Sequence, residues 1–153
     1  MITLSQRNPE WGNKPIRNTK YLIKDWGCTI SSISMISDYF KSFQKPSWFA
    51  KYASFTKDAK IFWNSIDRLD LNFKFEYRYY ADKHPNMFQK IDEALKDPNK
   101  AVVLEIRKTH WVAGLSKWLL LGYRIADPWP LPNGSKVFKQ KSYISGCAVF
   151  KRK

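Results

Sequence analysis

Cysteine is scarce in this chain: Cys28 and Cys147 are the only two in 153 residues. That excludes a small scaffold stapled by several disulfides, and a lone bridge is not expected in a cytosolic chain of this size, so both are read as free thiols. Histidine is equally rare, with only His84 and His110. These few soft ligands are scattered without the spacing of a zinc site, so no metal is expected. The six glycines are isolated, which leaves no glycine-rich loop to cradle a phosphate, and no cofactor is expected. The longest apolar run, WLLLGY, is far too short to span a bilayer. The N-terminal stretch lacks the charged start, apolar segment and small-residue cleavage site of a secretory signal, so cytoplasmic synthesis is expected.

Acidic residues are also in short supply, with 13 Asp and Glu against 27 Lys and Arg, a formal net charge of +14. Such an excess suits contact with nucleic acid, an anionic membrane surface or acidic cell-wall polymers. The same excess would follow from a codon bias towards A and T, which would also enrich Asn, Ile, Tyr and Phe at the expense of Gly and Ala. Against nucleic acid, the lysines are dispersed and no recognised nucleic-acid motif occurs.

What is abundant is apolar and aromatic surface: 44% hydrophobic and 16% aromatic residues, enough to exclude disorder and to fill one core. One domain is expected over residues 1–153. Residues 1–24 carry Pro9, Gly12 and Pro15 and read as an irregular arm. From Cys28, Ile30, Ile33, Ile36 and Phe40 recur at helical spacing with Ser31, Ser34 and Ser37 between them, which predicts an amphipathic helix. KPSWFAKYA predicts a second helix opening at Pro46. TKDAKIFWNSIDRLD predicts a third, with Thr56 as N-cap and Ile61, Phe62, Ile66 and Leu69 on one side. LNFKFEYRYY alternates Leu71, Phe73, Phe75, Tyr77 and Tyr79 with polar residues and predicts a half-buried strand. PNMFQKIDEALKDPN predicts a short helix, and AVVLEI, HWVAGL, KWLLLGYRIADP and GCAVFK predict strands. The order is that of an α+β fold, with N-terminal helices packed on a mainly antiparallel sheet.

A thiol at a helix start is placed for chemistry, because unpaired N–H groups and the helix dipole favour the thiolate. Cys28 opens the first predicted helix, and Gly27 before it would let a substrate backbone approach the sulfur. The bland reading is a small apolar filler, so partners must decide. An imidazole is needed to take up and return the proton. His110 opens a predicted strand, a rigid position, whereas His84 in ADKHPNM reads as a solvated loop residue. The imidazole needs an acceptor to fix its orientation. Asp127 closes the next predicted strand, and an antiparallel hairpin would bring it beside His110. Gln6 in the arm could donate to an oxyanion together with the Cys28 backbone N–H. Cys147 in SGCAVF reads as buried packing. Trp11, Trp26, Trp111 and Trp129 read as core or cleft wall, and the last three are candidates for substrate contact.

Taken in order, SQRNPEWG, WGCTISSISMISDYF, HWVAG and IADPW resemble the papain-like cysteine peptidases of the bacteriocin-leader-peptidase (C39-like) type. That family includes short stand-alone members from bacteria and their phages. The resemblance covers nearly the whole chain and implies a papain-like peptidase fold, an oxyanion-hole role for Gln6, a nucleophile at Cys28, and His110 and Asp127 completing the site. Relatives often place glycine or proline soon after the nucleophile, where this chain has Thr29, Ile30 and Ser31, so the cleft shape departs from theirs. The implied activity is cysteine peptidase or amidase hydrolysis of a peptide or isopeptide bond. The substrate would be a peptide, a protein or peptidoglycan, met in a host cytoplasm, in a virion or after lysis. With no transporter domain in the chain, export-coupled leader processing is not expected. Two other classes remain open: a catalytically silent papain-like or virion-associated binding module, and a basic nucleic-acid-binding protein.

Overall fold

The computed structural model describes residues 1–153. Its strands are β1 Phe73–Tyr80, β2 Lys100–Ile106, β3 His110–Trp118, β4 Gly122–Asp127, β5 Ser135–Gln140 and β6 Ile144–Arg152. They form one sheet in the order β1-β6-β2-β3-β4-β5, and every neighbouring pair is antiparallel. Helices α1 Ile23–Trp26, α2 Cys28–Tyr39 and α3 Pro46–Tyr52 precede the sheet, and α4 Met87–Lys96 lies between β1 and β2. The α+β order read from the sequence is the order found.

The sheet separates two cores. On one face Ile30, Ile33, Ile36, Phe40 and Phe49 from α2 and α3 pack on Val103, Ala148 and Phe150. On the other, Met87, Ile91 and Ala94 of α4 pack on Val102, Leu104, Val112, Cys147 and Val149. Strands β2 and β6 are therefore covered on both sides, which is why AVVLEI and GCAVF are continuous apolar runs rather than alternating ones.

Four expectations need correction. Helix α2 is not amphipathic, since Ile30 through Ser37 are all buried. Three of its four buried serines survive inside because their hydroxyls find carbonyls: Ser32 Oγ donates to Trp111 O at 3.0 Å, Ser37 Oγ to Ser34 O at 2.7 Å, and Ser34 Oγ to Gln44 O, while Ser31 Oγ has no partner. The predicted third helix is absent. Thr56 instead closes a tight turn, with Lys60 N donating to Thr56 Oγ1 at 3.1 Å and Phe55 bridging to Ile61, and only a 3-10 helix follows at Trp63–Arg68. Phe62 consequently points outward, 55% exposed, while Ile61 and Ile66 are buried. In β1 the alternation breaks at a bulge between Phe75 and Tyr77. Phe75 pairs with Phe150 and Tyr77 with Val149, so Phe73 and Phe75 face the α2 core while Tyr77 and Tyr79 face the α4 core. KWLLLGYRIADP is not one strand either: Leu119–Leu121 form the β3–β4 turn. Strand β5 is an exposed edge with no apolar alternation to announce it.

The arm before α1 is tied down rather than loose. Trp11 and Ile16 enter the α2 core, Trp11 Nε1 donates to Ser5 O at 2.8 Å, and the Gln6 N–H donates to Pro128 O at 2.8 Å.

Candidate active site

Chain geometry brings four distant residues to one end of the sheet. Helix α1 stops at Trp26, and α2 starts at once with Cys28, its Ser31 N–H returning to Gly27 O at 2.9 Å. Gly27 has an internal reason to be glycine: a Cβ there would meet Ile23 O at 2.5 Å and Ile23 Cγ2 at 2.6 Å. The close contact lies towards α1, so the glycine permits the tight succession of the two helices. On the sheet side, a short turn with positive φ at Arg107 (50°) and Lys108 (62°) joins β2 to β3, a backbone shape matched to the twist of a tight hairpin. That turn delivers His110 as the first residue of β3, and β4 ends beside it at Asp127. The Ser32 hydrogen bond to Trp111 O pins the first turns of α2 to the strand carrying His110.

His110 Nε2 lies 2.8 Å from Asp127 Oδ1. The same carboxylate oxygen accepts from Trp129 N at 2.9 Å, which fixes its position. With Nε2 taken by Asp127, the remaining ring nitrogen, Nδ1, is the one available to the thiol. Burial opposes charge at all three groups, and hydrogen bonding reverses it. Burial alone would raise the Cys28 pKa, yet the hydrogen bond and charge of His110, with a backbone contact from Trp111, bring it below the ordinary thiol value. Burial would lower His110, yet Asp127 and Cys28 raise it to about 9. Burial would raise Asp127, yet His110 and the Trp129 N–H lower it. The arrangement favours a thiolate–imidazolium pair held by a carboxylate.

Gln6 is buried beside this group. Its Nε2 donates to Lys24 O at 2.9 Å, and its Oε1 has no partner. Lys24 O consumes one amide proton and leaves the second free. Gln6 lines a cavity of about 350 Å³ together with Asp25, Cys28, Thr109, His110, Asp127 and Trp129. A larger cleft of about 780 Å³ adjoins it, walled by Trp26, Trp63, Trp111 and Arg78 among others, and Cys28 belongs to both. The sulfur therefore sits where two cavities meet. Trp26 and Trp129 are half exposed on the rims, while Trp111 is buried with its ring centroid 5.0 Å from that of Trp63.

Some of the cleft was not anticipated. Arg78 reaches it because the β1 bulge turns that side chain to the α2 face, opposite Ala148. Its guanidinium lies 5.0 Å from the Trp111 ring, 5.5 Å from Trp63 and 4.3 Å from Tyr80, and 3.6 Å from the buried carboxylate of Glu105. A single carboxylate inside AVVLEI was the one sequence sign of this floor. His84 is neither in the site nor freely solvated: it stacks on Tyr79 with centroids 4.4 Å apart, and its Nδ1 accepts from Tyr80 N at 3.1 Å. Cys147 is fully buried.

No protein-family model matches the sequence, and no curated protein does. Solved structures do match in shape. The peptidase domain of Streptococcus ComA, a bi-functional ABC transporter of a quorum-sensing pathway, aligns with a TM-score of 0.59 and 12% identity over 84% of this chain and 93% of that domain. A double-glycine-motif protease from an AMS/PCAT transporter, solved with its leader peptide, aligns with a TM-score of 0.59 and 14% identity over the full length of both chains. The fold of this chain is the papain-like fold of C39-type peptidase domains.

Proposed function

We propose that the protein is a cysteine peptidase or amidase whose substrate lies across Cys28, between the two cavities. The observation that carries this reading is that Cys28 lines one cavity with a His110 held 2.8 Å from Asp127, with each pKa displaced towards the charged form. The Cys28 thiolate attacks the amide carbonyl, and the oxyanion is met by the Cys28 backbone N–H and the free amide proton of Gln6. His110 then gives its Nδ1 proton to the leaving amine, which departs and leaves a thioester. Water loses a proton to His110 and attacks the thioester, releasing the carboxylic acid and restoring the pair. Asp127 acts throughout as a positioning residue, accepting from Nε2 so that Nδ1 faces the sulfur.

A peptide is the substrate class supported by the neighbour solved with a leader peptide. The net charge of +14 supports an acidic surrounding polymer, such as a bacterial cell wall, as the setting of that peptide. Wild type and Cys28→Ala should be assayed on purified cell walls by zymography and on a protein library by mass spectrometry of new termini. Clearing or new termini with wild type and none with Cys28→Ala is the expected result. Equal turnover by both would remove the nucleophile assignment, and no turnover by wild type on either substrate would favour a silent binding module.

A further inference from the structure

The end of the β3–β4 hairpin opposite the site has no polar turn residues. Trp118, Leu119, Leu120 and Leu121 follow one another there at 50, 73, 80 and 64% exposure. Turns on protein surfaces ordinarily use Gly, Asn, Asp, Ser or Pro, so four consecutive large apolar side chains are anomalous. They cannot fold back on the sheet, because Trp118 pairs with Gly122 and Lys141 N–H donates to Leu121 O at 3.0 Å, closing the turn beneath them.

The anomaly continues across the sheet edge. Arg124 pairs with Phe138, and Ala126 with Lys136; in this register Trp118, Arg124, Phe138 and Lys136 share one face. Phe138 is 41% exposed, Arg124 is exposed and has no carboxylate partner within salt-bridge distance, while Lys136 lies at the far end, one residue from the Asp127 level. An apolar prong, an aromatic collar and an unneutralised cation beside it are the three components of an interfacial membrane anchor.

We propose that this hairpin tip docks on an anionic lipid bilayer. Leu119–Leu121 would enter the boundary between headgroups and acyl chains, Trp118 and Phe138 would lie at the headgroup level, and Arg124 would meet lipid phosphates. A bilayer fits better than a folded partner on two grounds. The tip is convex and needs no preformed groove in a fluid surface, and the free Arg124 matches a negative surface, as does the net charge of +14. Strand β3 runs nine residues from His110 to Trp118, roughly 26 Å at about 3.3 Å per step. Docking by the tip would therefore hold the cleft clear of the bilayer, open to water and substrate.

The test is co-sedimentation of the full chain with vesicles of phosphatidylcholine alone and of phosphatidylcholine mixed with phosphatidylglycerol. Wild type should pellet with the anionic vesicles and at least tenfold less with the neutral ones. The triple variant Leu119→Ser, Leu120→Ser, Leu121→Ser, checked for an unchanged circular dichroism spectrum, should lose at least tenfold in partitioning. Arg124→Gln should weaken the preference for anionic lipid at least threefold. Cys28→Ala should pellet like wild type, so this result is independent of the catalytic reading. Wild type staying in the supernatant with both vesicles, or the triple variant pelleting undiminished, would overturn the proposal. So would a lipid-free dimer in sedimentation velocity that the leucine substitutions abolish while wild type ignores vesicles, since the tip would then be a self-association site.

Discussion

Cys28 and Cys147 carry the same side chain into opposite surroundings. Cys147 lies in the middle of β6, between Tyr79 of β1 and Leu104 of β2, and faces the α4 core with no exposed surface. Burial pushes its thiol up to about 12, with only a backbone contact from Tyr79 and the charge of Arg78 acting the other way. Cys28 is half-buried, and burial presses its pKa upward in the same sense. The outcome reverses because the hydrogen bonding and charge of His110 lower it, and His110 is itself raised to about 9 by Asp127 together with Cys28. Burial therefore does not decide whether a thiol is inert; the decisive feature is a hydrogen-bonding cation that stays charged when buried.

The sharpest way to break this contrast is alkylation. At pH 7 a thiol with a pKa near 12 is thiolate in about one molecule in 10⁵, and Cys147 is in addition unreachable. Iodoacetamide should modify Cys28 at least ~10³ times faster than Cys147, read by peptide mass spectrometry under native conditions. Comparable rates would show that the imidazole does not activate Cys28. Next in size comes Gln6→Ala. In the proposed reaction it removes one oxyanion donor and should lower kcat about 100-fold, while the alkylation rate of Cys28, which forms no oxyanion, stays near wild type. A parallel fall in both would mean that Gln6 holds the arm in place instead.

Asp127→Asn tests what keeps the imidazole charged. Asp127 raises the His110 pKa, so its removal should bring that pKa down from about 9 towards the ordinary histidine value. The imidazolium would then be lost at lower pH as pH rises. The alkaline limb of kcat/KM should move to lower pH by at least one unit, with a loss of about tenfold at pH 7.5. An unmoved limb would assign that ionisation to another group.

How much of this was readable in the residues depends on what each feature rests on. Cys28, His110 and Asp127 stand at the ends of elements with strong periodicity, so they could be placed relative to one another once the β3–β4 hairpin was recognised, whereas Gln6 lies in an arm without periodicity and was reached through the family resemblance. Strands β2 and β6 were legible because both faces are apolar. Arg78 was not, since its direction depends on a bulge between Phe75 and Tyr77 that adds one residue without marking the sequence. The stretch around Thr56 looked helical because Ile61, Ile66 and Leu69 have helical spacing. The chain instead forms the turn closed by Thr56 and Lys60, and tertiary burial of Ile61 and Trp63 overrides that local pattern. Strand β5 carries Lys136, Val137, Phe138 and Lys139 at an open edge, where pairing to β4 alone holds it and no buried face imposes alternation.

The smallest expected effect belongs to the other half of the comparison. Cys147→Ala removes a sulfur from a site enclosed by Leu104, Val149 and Tyr79 in the α4 core, and Cys147 lines neither cavity that Cys28 lines. The lost contacts and the small void should cost about 1 kcal/mol of unfolding free energy, read from urea titration. Because β6 is held by β1 on one side and β2 on the other, the strand has little freedom to shift into the space, and no displacement should travel along β2 to His110. Hydrolysis by Cys147→Ala should match wild type within a factor of two. If activity instead fell about tenfold in a variant that keeps its unfolding midpoint, Cys147 would be coupled to the site, and the division into one reactive and one packing thiol would fail.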